Sequence, residues 1–228
     1  MPGSPPNMPS AESPLYLKQM EIGPMENFVY LVGDKNTREV LVVDPAWQVD
    51  TILRAAKEEG LKIKGALVSH YHFDHTNGIE ELLESADCPV YVNKNDSPFI
   101  EYSHDNIKNV DDGHKIKVGD VEISLVHTPG HTPGSQCFHV QDRLISGDTL
   151  FIGACGRCDL PGGSAKEMYY TLTQRLMKFD NSTILCPGHN YSDKSTTTMG
   201  EEKRTNPYLL CDSLENFLKF RTGVSEYR

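Results

Sequence analysis

The chain has 228 residues, 38% hydrophobic and 24% charged, so it can bury a core and is not a disordered polymer. Its formal net charge of −10 argues against non-specific binding to nucleic acid or to an anionic membrane surface. No apolar run approaches the ~18–20 residues that cross a bilayer.

The opening "MPGSPPNMPSAESP" carries five prolines in 14 residues and lacks both a basic segment and an apolar one. It reads as a disordered leader over residues 1–14, with no secretory signal. Six scattered cysteines in a chain of this size suggest reduced thiols and a cytoplasmic location rather than a disulfide scaffold. Residues 15–228 then read as a single domain.

Two strands are predicted first, "LYLKQM" and "NFVYLVG", followed by the buried strand "EVLVVDP" with its terminal Asp-Pro turn. Helical spacing of Val49, Ile52, Leu53 and Ala56 predicts a helix over 47–59, stopped by Gly60. "GALVS" reads as a short strand, 78–86 as a helix and "PVYV" as another strand. "HKIKV", "VEISLVH", "SQCFHV" and "RLISG" look like consecutive antiparallel strands. "SAKEMYYTLTQRLMKF" is a helix with Ser164 as N-cap and Glu167 three residues on, "TILCPG" is a last strand, and "PYLLCDSLENFLKF" a closing helix. Strand-rich and helical stretches alternate, so the fold class is α/β or α+β: two sheets with helices on their outer faces.

The segment "SHYHFDH" concentrates His70, His72, Asp74 and His75 directly after a predicted strand. Alternate residues of an extended segment share a side, so His70 and His72 can face one ion, while Asp74 and His75 follow after a turn and can face a second. Imidazole and carboxylate are the usual ligands of catalytic zinc. Three further segments repeat the arrangement of an apolar strand followed by a turn, and bring His131, Asp148 and His189. Seven candidates amount to six terminal ligands plus Asp148 as a bridging carboxylate, a dinuclear site in outline. A lone histidine near a strand end is ordinarily a surface or core residue, and His104, His114, His127 and His139 are read so. Cys155 and Cys158 have CxxC spacing, but a Gly-rich stretch follows them and they read as structural.

HxHxDH with a distant His, Asp and His resembles the metallo-β-lactamase superfamily, and the likeness covers residues from about 15 to 210. It implies a four-layer αβ/βα sandwich of two mixed sheets flanked by helices. His70, His72 and His131 would then hold one metal, Asp74, His75 and His189 the other, with Asp148 bridging and Asp44 of "VVDP" supporting from behind. "TPGHTPGS", "SGDTLFIGACGR" and "PGHNY" resemble the glyoxalase II and persulfide dioxygenase branch. The first expectation is therefore a glyoxalase II-like hydrolase. In it, two zinc ions, or iron or manganese in their place, share a hydroxide that attacks a thioester, with Asp74 and Asp148 as catalytic ligands.

The substrate expected is a small anionic thiol derivative such as a glutathione conjugate, held by Arg157 and Tyr191, with Lys203 and Arg204 as lesser helpers. The alternative is a persulfide dioxygenase with one iron on His72, His131 and Asp148. Two features separate the chain from glyoxalase II: only 37 residues follow Tyr191, too few for its C-terminal helical domain, and Asp159 stands where a glutathione-contacting tyrosine is expected. Tyr71 and Phe73 are expected to pack behind the ligand loop. Self-association into a homo-oligomer stays open.

Overall fold

The computed structural model describes residues 13–100 and 105–222. The leader, up to residue 12, and His104 lie outside the described residues. In chain order the elements are β1 (Leu15–Ile22), β2 (Asn27–Asp34), β3 (Glu39–Val43), α1 (Val49–Glu58), β4 (Lys62–Leu67), α2 (Phe73–Thr76), α3 (Ile79–Ser85), β5 (Val90–Asn93) and β6 (Ile107–Val110). There follow β7 (Lys115–Val118), β8 (Val121–His127), β9 (Gln136–Val140), β10 (Arg143–Gly147), β11 (Leu150–Phe151), β12 (Ala154–Cys155) and α4 (Ala165–Tyr170). Last come β13 (Ile184–Pro187), β14 (Thr197–Thr198), α5 (Met199–Thr205) and α6 (Leu214–Thr222).

One sheet has the order β1-β2-β3-β4-β5-β6 and the facing sheet β14-β13-β10-β9-β8-β7, while β11 and β12 form a small hairpin. Both are mixed. β1 to β3 pair antiparallel and β3 to β6 parallel. In the second sheet β7 to β10 pair antiparallel, as expected, but β10 and β13 are parallel.

The alternation of side chains builds the layers. From β2, Phe28, Tyr30 and Val32 enter the core between the sheets with Ile123, Leu125 and Phe138. The intervening Val29 and Leu31 point the other way, onto Val49 and Ile52 of α1 and Ile79 and Leu82 of α3. On the outer face of the second sheet, Cys137, Leu144 and Leu185 meet Met168, Leu172, Met199 and Phe217. The result is the four-layer, helix-sheet-sheet-helix α/β sandwich. Among the described residues no helix is long and apolar enough to cross a membrane.

Several boundaries differ from expectation. β4 starts at Lys62 and ends at Leu67, because Ser69 leaves the ladder to donate its N–H to the Asp44 carboxylate. The helix expected over 164–179 is regular only to Tyr170, then widens into a π-helical turn (Thr171–Arg175) and tightens over Leu176–Lys178. Ser164 caps its start by accepting from Glu167 N–H, whereas its own N–H goes to Gly130, so the capping box is not reciprocal. The closing helix begins at Leu214 rather than 207, with Ser213 accepting from Asn216 N–H. Unforeseen are β6, β14, the β11–β12 hairpin and α5, which is capped by Thr198.

Candidate metal centre

Strand ends from both sheets converge on one edge of the sandwich. β3 delivers Asp44, the loop after β4 carries Ser69 to His72 and runs into α2 with Asp74 and His75, and the β8–β9 loop carries His131. β10 leads into Asp148, and β13 ends two residues before His189. All seven side chains singled out from the sequence meet there. Their ligand atoms fall in three groups, each spanning no more than 4.8 Å: His70, His72 and His131; Asp74, His75 and His189; and His70, His75 and Asp148. His70 therefore sits between the two halves rather than in one alone, with its ring 4.2 Å from that of His75.

Asp148 faces both ways. Its Oδ2 lies 3.5 Å from His131 Nε2, and its Oδ1 lies 3.3 Å from His75 Nε2 and 3.4 Å from His189 Nε2. On one side of it His72 Nδ1 is 2.9 Å from His131 Nε2, and on the other His75 Nε2 is 3.1 Å from His189 Nε2. Four imidazole nitrogens thus crowd round Asp148 in two close pairs. Buried Nε2 of His70 and Oδ1 of Asp148 lack a hydrogen-bond partner. Bare buried acceptors are costly to leave unmade, and a cation satisfies them at once, so the donor set fits a metal.

Outer contacts fix which nitrogen each histidine offers. Nδ1 of His131 donates to the Arg157 carbonyl (2.7 Å) and Nδ1 of His189 to the Met25 carbonyl (2.8 Å), since a carbonyl only accepts. His75 Nδ1 donates to Asp44 Oδ2 (2.9 Å). Ser69 Oγ donates to the same Asp44 oxygen (2.7 Å), so it accepts from His70 Nδ1 (2.9 Å). Those four rings are left presenting Nε2, and His72 presents Nδ1. Asp44 is thus the support that the sequence suggested; its backbone adopts φ 53° to turn the carboxylate under the loop.

The two halves differ electrostatically. Burial pushes His70 well below the ordinary histidine range, takes His72 down to about 4 and lowers His131, so these rings are neutral. Burial also opposes charge on His75 and His189. There, however, neighbouring carboxylates prevail, Asp148 foremost with Asp44 and Asp74, and hold His75 well above its usual value and His189 at about 9. Asp74 is held far below the carboxylate range by His189 and His75, against the effect of its burial.

Two supports carry no signal in the sequence beyond lying in a strand or turn. Asn27 Nδ2 donates to Asp74 Oδ2 (2.9 Å), and its own Oδ1 accepts from the Trp47 indole (2.9 Å), which fixes the amide orientation. Asp96, fully buried, accepts from Tyr71 N–H (3.0 Å), Thr132 Oγ1 (2.7 Å) and Gly134 N–H (2.5 Å), and so binds the His70–His72 loop to the His131 loop.

The remaining residues singled out from the sequence fall as follows. The Arg157 guanidinium makes two hydrogen bonds to Asp159 (2.9 and 2.7 Å), while the Arg157 carbonyl accepts from His131. Lys203 Nζ donates to the Phe179 carbonyl and to Asn181, and Arg204 pairs with Glu201, so both are engaged away from the ligands. Phe73 is 64% exposed and meets Trp47 edge-on instead of packing behind the loop. Tyr71 does brace it, donating to the Pro161 carbonyl and stacking on Phe99. Tyr191 lies flat on the His189 ring at 4.7 Å, half exposed at the mouth. His114, His127 and His139 join none of the three ligand groups. Cys155 and Cys158 are free thiols in the outer core, and burial pushes Cys155 up to about 12.

Residues 22–189 match the model of the family described as the metallo-beta-lactamase superfamily. The chain is 31% identical over 221 residues to the mitochondrial persulfide dioxygenase ETHE1 of Homo sapiens, covering 93% of this chain and 83% of that one. Similarity to the probable polyketide biosynthesis zinc-dependent hydrolase PksB of Bacillus subtilis is 29% over 200 residues, 88% and 89% of the two chains. Among solved structures, ETHE1 from Myxococcus xanthus superposes with a TM-score of 0.83 at 31% identity, covering 93% and 92%.

Proposed function

The chain belongs to the metallo-beta-lactamase superfamily, and from that premise we propose that it is an iron-dependent enzyme that oxidises the outer sulfur of a thiol persulfide. The thioester hydrolysis first expected becomes the second reading. One observation carries the change: likeness to persulfide dioxygenase ETHE1 extends over 93% of the chain. The three residues required for a facial site, two histidines and one carboxylate, come together at the same edge.

Iron held by His72, His131 and Asp148 would supply redox chemistry with dioxygen beside a bound sulfur anion. The protein's part is positional. The Arg157 carbonyl holds His131 in the tautomer that leaves Nε2 free, and Asp96 keeps the loops bearing His72 and His131 in register. Asp74, His75 and His189 lie next to this trio and can keep a proton at hand, braced by Asn27 and Asp44. Overall, a persulfide, one dioxygen and one water give the thiol and sulfurous acid.

The hydrolase reading is favoured by the completeness of the second ligand group and by the likeness to PksB. Metal content of the isolated protein, measured beside two assays, separates them. One iron per chain, with oxygen uptake and sulfite release on glutathione persulfide or hexyl persulfide, is expected. Two zinc ions per chain, turnover of S-lactoylglutathione and no oxygen uptake would overturn it.

A further inference from the structure

Large apolar side chains are exposed around the metal centre. Among the described residues the exposed large hydrophobic side chains include Met25 (46%), Phe73 (64%), Phe99 (50%) and Tyr191 (56%). Three adjoin the ligand set through backbone, sequence position or ring, and Phe99 reaches it through Tyr71. Met25 gives its carbonyl to His189, Phe73 lies between His72 and Asp74, and Tyr191 lies on the His189 ring. Phe99 stacks at 4.8 Å on Tyr71, whose ring meets His72 edge-on at 4.8 Å. Single exposed hydrophobics are ordinary, but four anchored to one constellation are not scattered.

The cation that the sequence places here already has a carboxylate partner. Asp159 accepts from Nε and Nη2 along one edge of the Arg157 fork, so an anionic substrate competes with an acid already in bidentate contact. The four exposed side chains carry no charge to pair with the two carboxylates and ammonium group of a glutathione body, whereas an alkyl chain needs none.

We propose that the thiol carried by the substrate has an apolar, alkyl-type body that lies across Met25, Phe73, Phe99 and Tyr191 while its sulfur meets the metal centre. The inference rests on reading the site as one that handles a sulfur-bearing substrate, and it replaces the glutathione conjugate with a hydrophobic thiol derivative.

Trp47 is the sole tryptophan and its ring meets Phe73 edge-on at 5.8 Å, so its emission reports on the rim. Titration of the metal-loaded protein, without oxygen, with ethanethiol, butanethiol, hexanethiol and glutathione reads the affinities. The sulfur head is constant and the body varies. Affinity is expected to rise about fourfold per added methylene over at least part of the series, as full burial of a methylene implies. Hexanethiol should then bind at least about tenfold tighter than glutathione.

Phe73→Ser, at an exposed position, should flatten the series while leaving metal content and the glutathione affinity within about twofold; Phe99→Ser is the second variant should the first lose its metal. A flat series, or glutathione binding as tightly as hexanethiol, overturns the inference. Because binding is read without turnover, a steep series in a protein that consumes no oxygen with any persulfide would leave the apolar body standing and remove only the dioxygenase reading.

Discussion

Asp44 illustrates how one residue sets the chemistry of two others. Its carboxylate receives Ser69 N–H (2.6 Å), Ser69 Oγ and His75 Nδ1, and through Ser69 it also settles the tautomer of His70. Removing an outer partner of this kind ordinarily costs about 10–100-fold in metal affinity. Asp44→Ala should show that loss in competition with a chromophoric chelator, and an unchanged affinity would mean that the histidines orient themselves. The donors were legible in the sequence because each is a rare ligand type placed just past an apolar run. Asn27 and Asp96 were not, since an asparagine opening a strand and an aspartate in an Asn-Asp-Ser-Pro turn look the same whether or not they reach a ligand. Arg157 stands out in the sequence by its charge, yet the contact it makes to the ligand set is through its carbonyl, which no sequence pattern marks.

Among the elements, alternation and length decided what could be read. β2 and β3 announce themselves by apolar residues buried on both faces. β6, at the sheet edge, reads "IKNV" and buries only Val110, so no pattern marks it. α5 has seven residues with a glycine second, too short for a periodic stripe to form. Caps survive where stripes fail. Ser164 accepts from Glu167 N–H at 3.2 Å, and Ser164→Ala should lower stability by about 1 kcal/mol, seen as a shifted urea midpoint with an unchanged slope. A change near zero would assign the helix start to its Gly130 contact instead.

Over the whole molecule, the sandwich is tied at its far corners as well as through its core. Asp34, at the end of β2 in one sheet, accepts from Asn36 N–H (2.7 Å) and from Asp120 N–H (2.7 Å) in the β7–β8 turn of the other. These donors, that of Asp120 first, hold its carboxyl below the ordinary range. A depressed folded value gives stability that is present above the unfolded pKa of about 3.8 and fades as pH falls through the folded one. Asp34→Asn should therefore be less stable than the parent at pH ~7, with the gap closing toward pH ~3. Urea melts at both pH values check this; a gap that widens in acid would refute the assignment. Two sheets with helices on their outer faces could be read from the sequence, but the pairing of β10 with β13 could not, because 36 residues separate their ends and nothing local encodes parallel neighbours.

The position of the donors at strand ends of both sheets has a consequence for biogenesis. His70 and His189 are 119 positions apart, and no contiguous fragment ending before β13 holds the whole set. The trio His72, His131 and Asp148 is complete once the turn after β10 has been made, whereas the Asp74 and His75 half waits for His189 beyond β13. A chain stopped between the two would carry one half of the donor set complete and the other without His189.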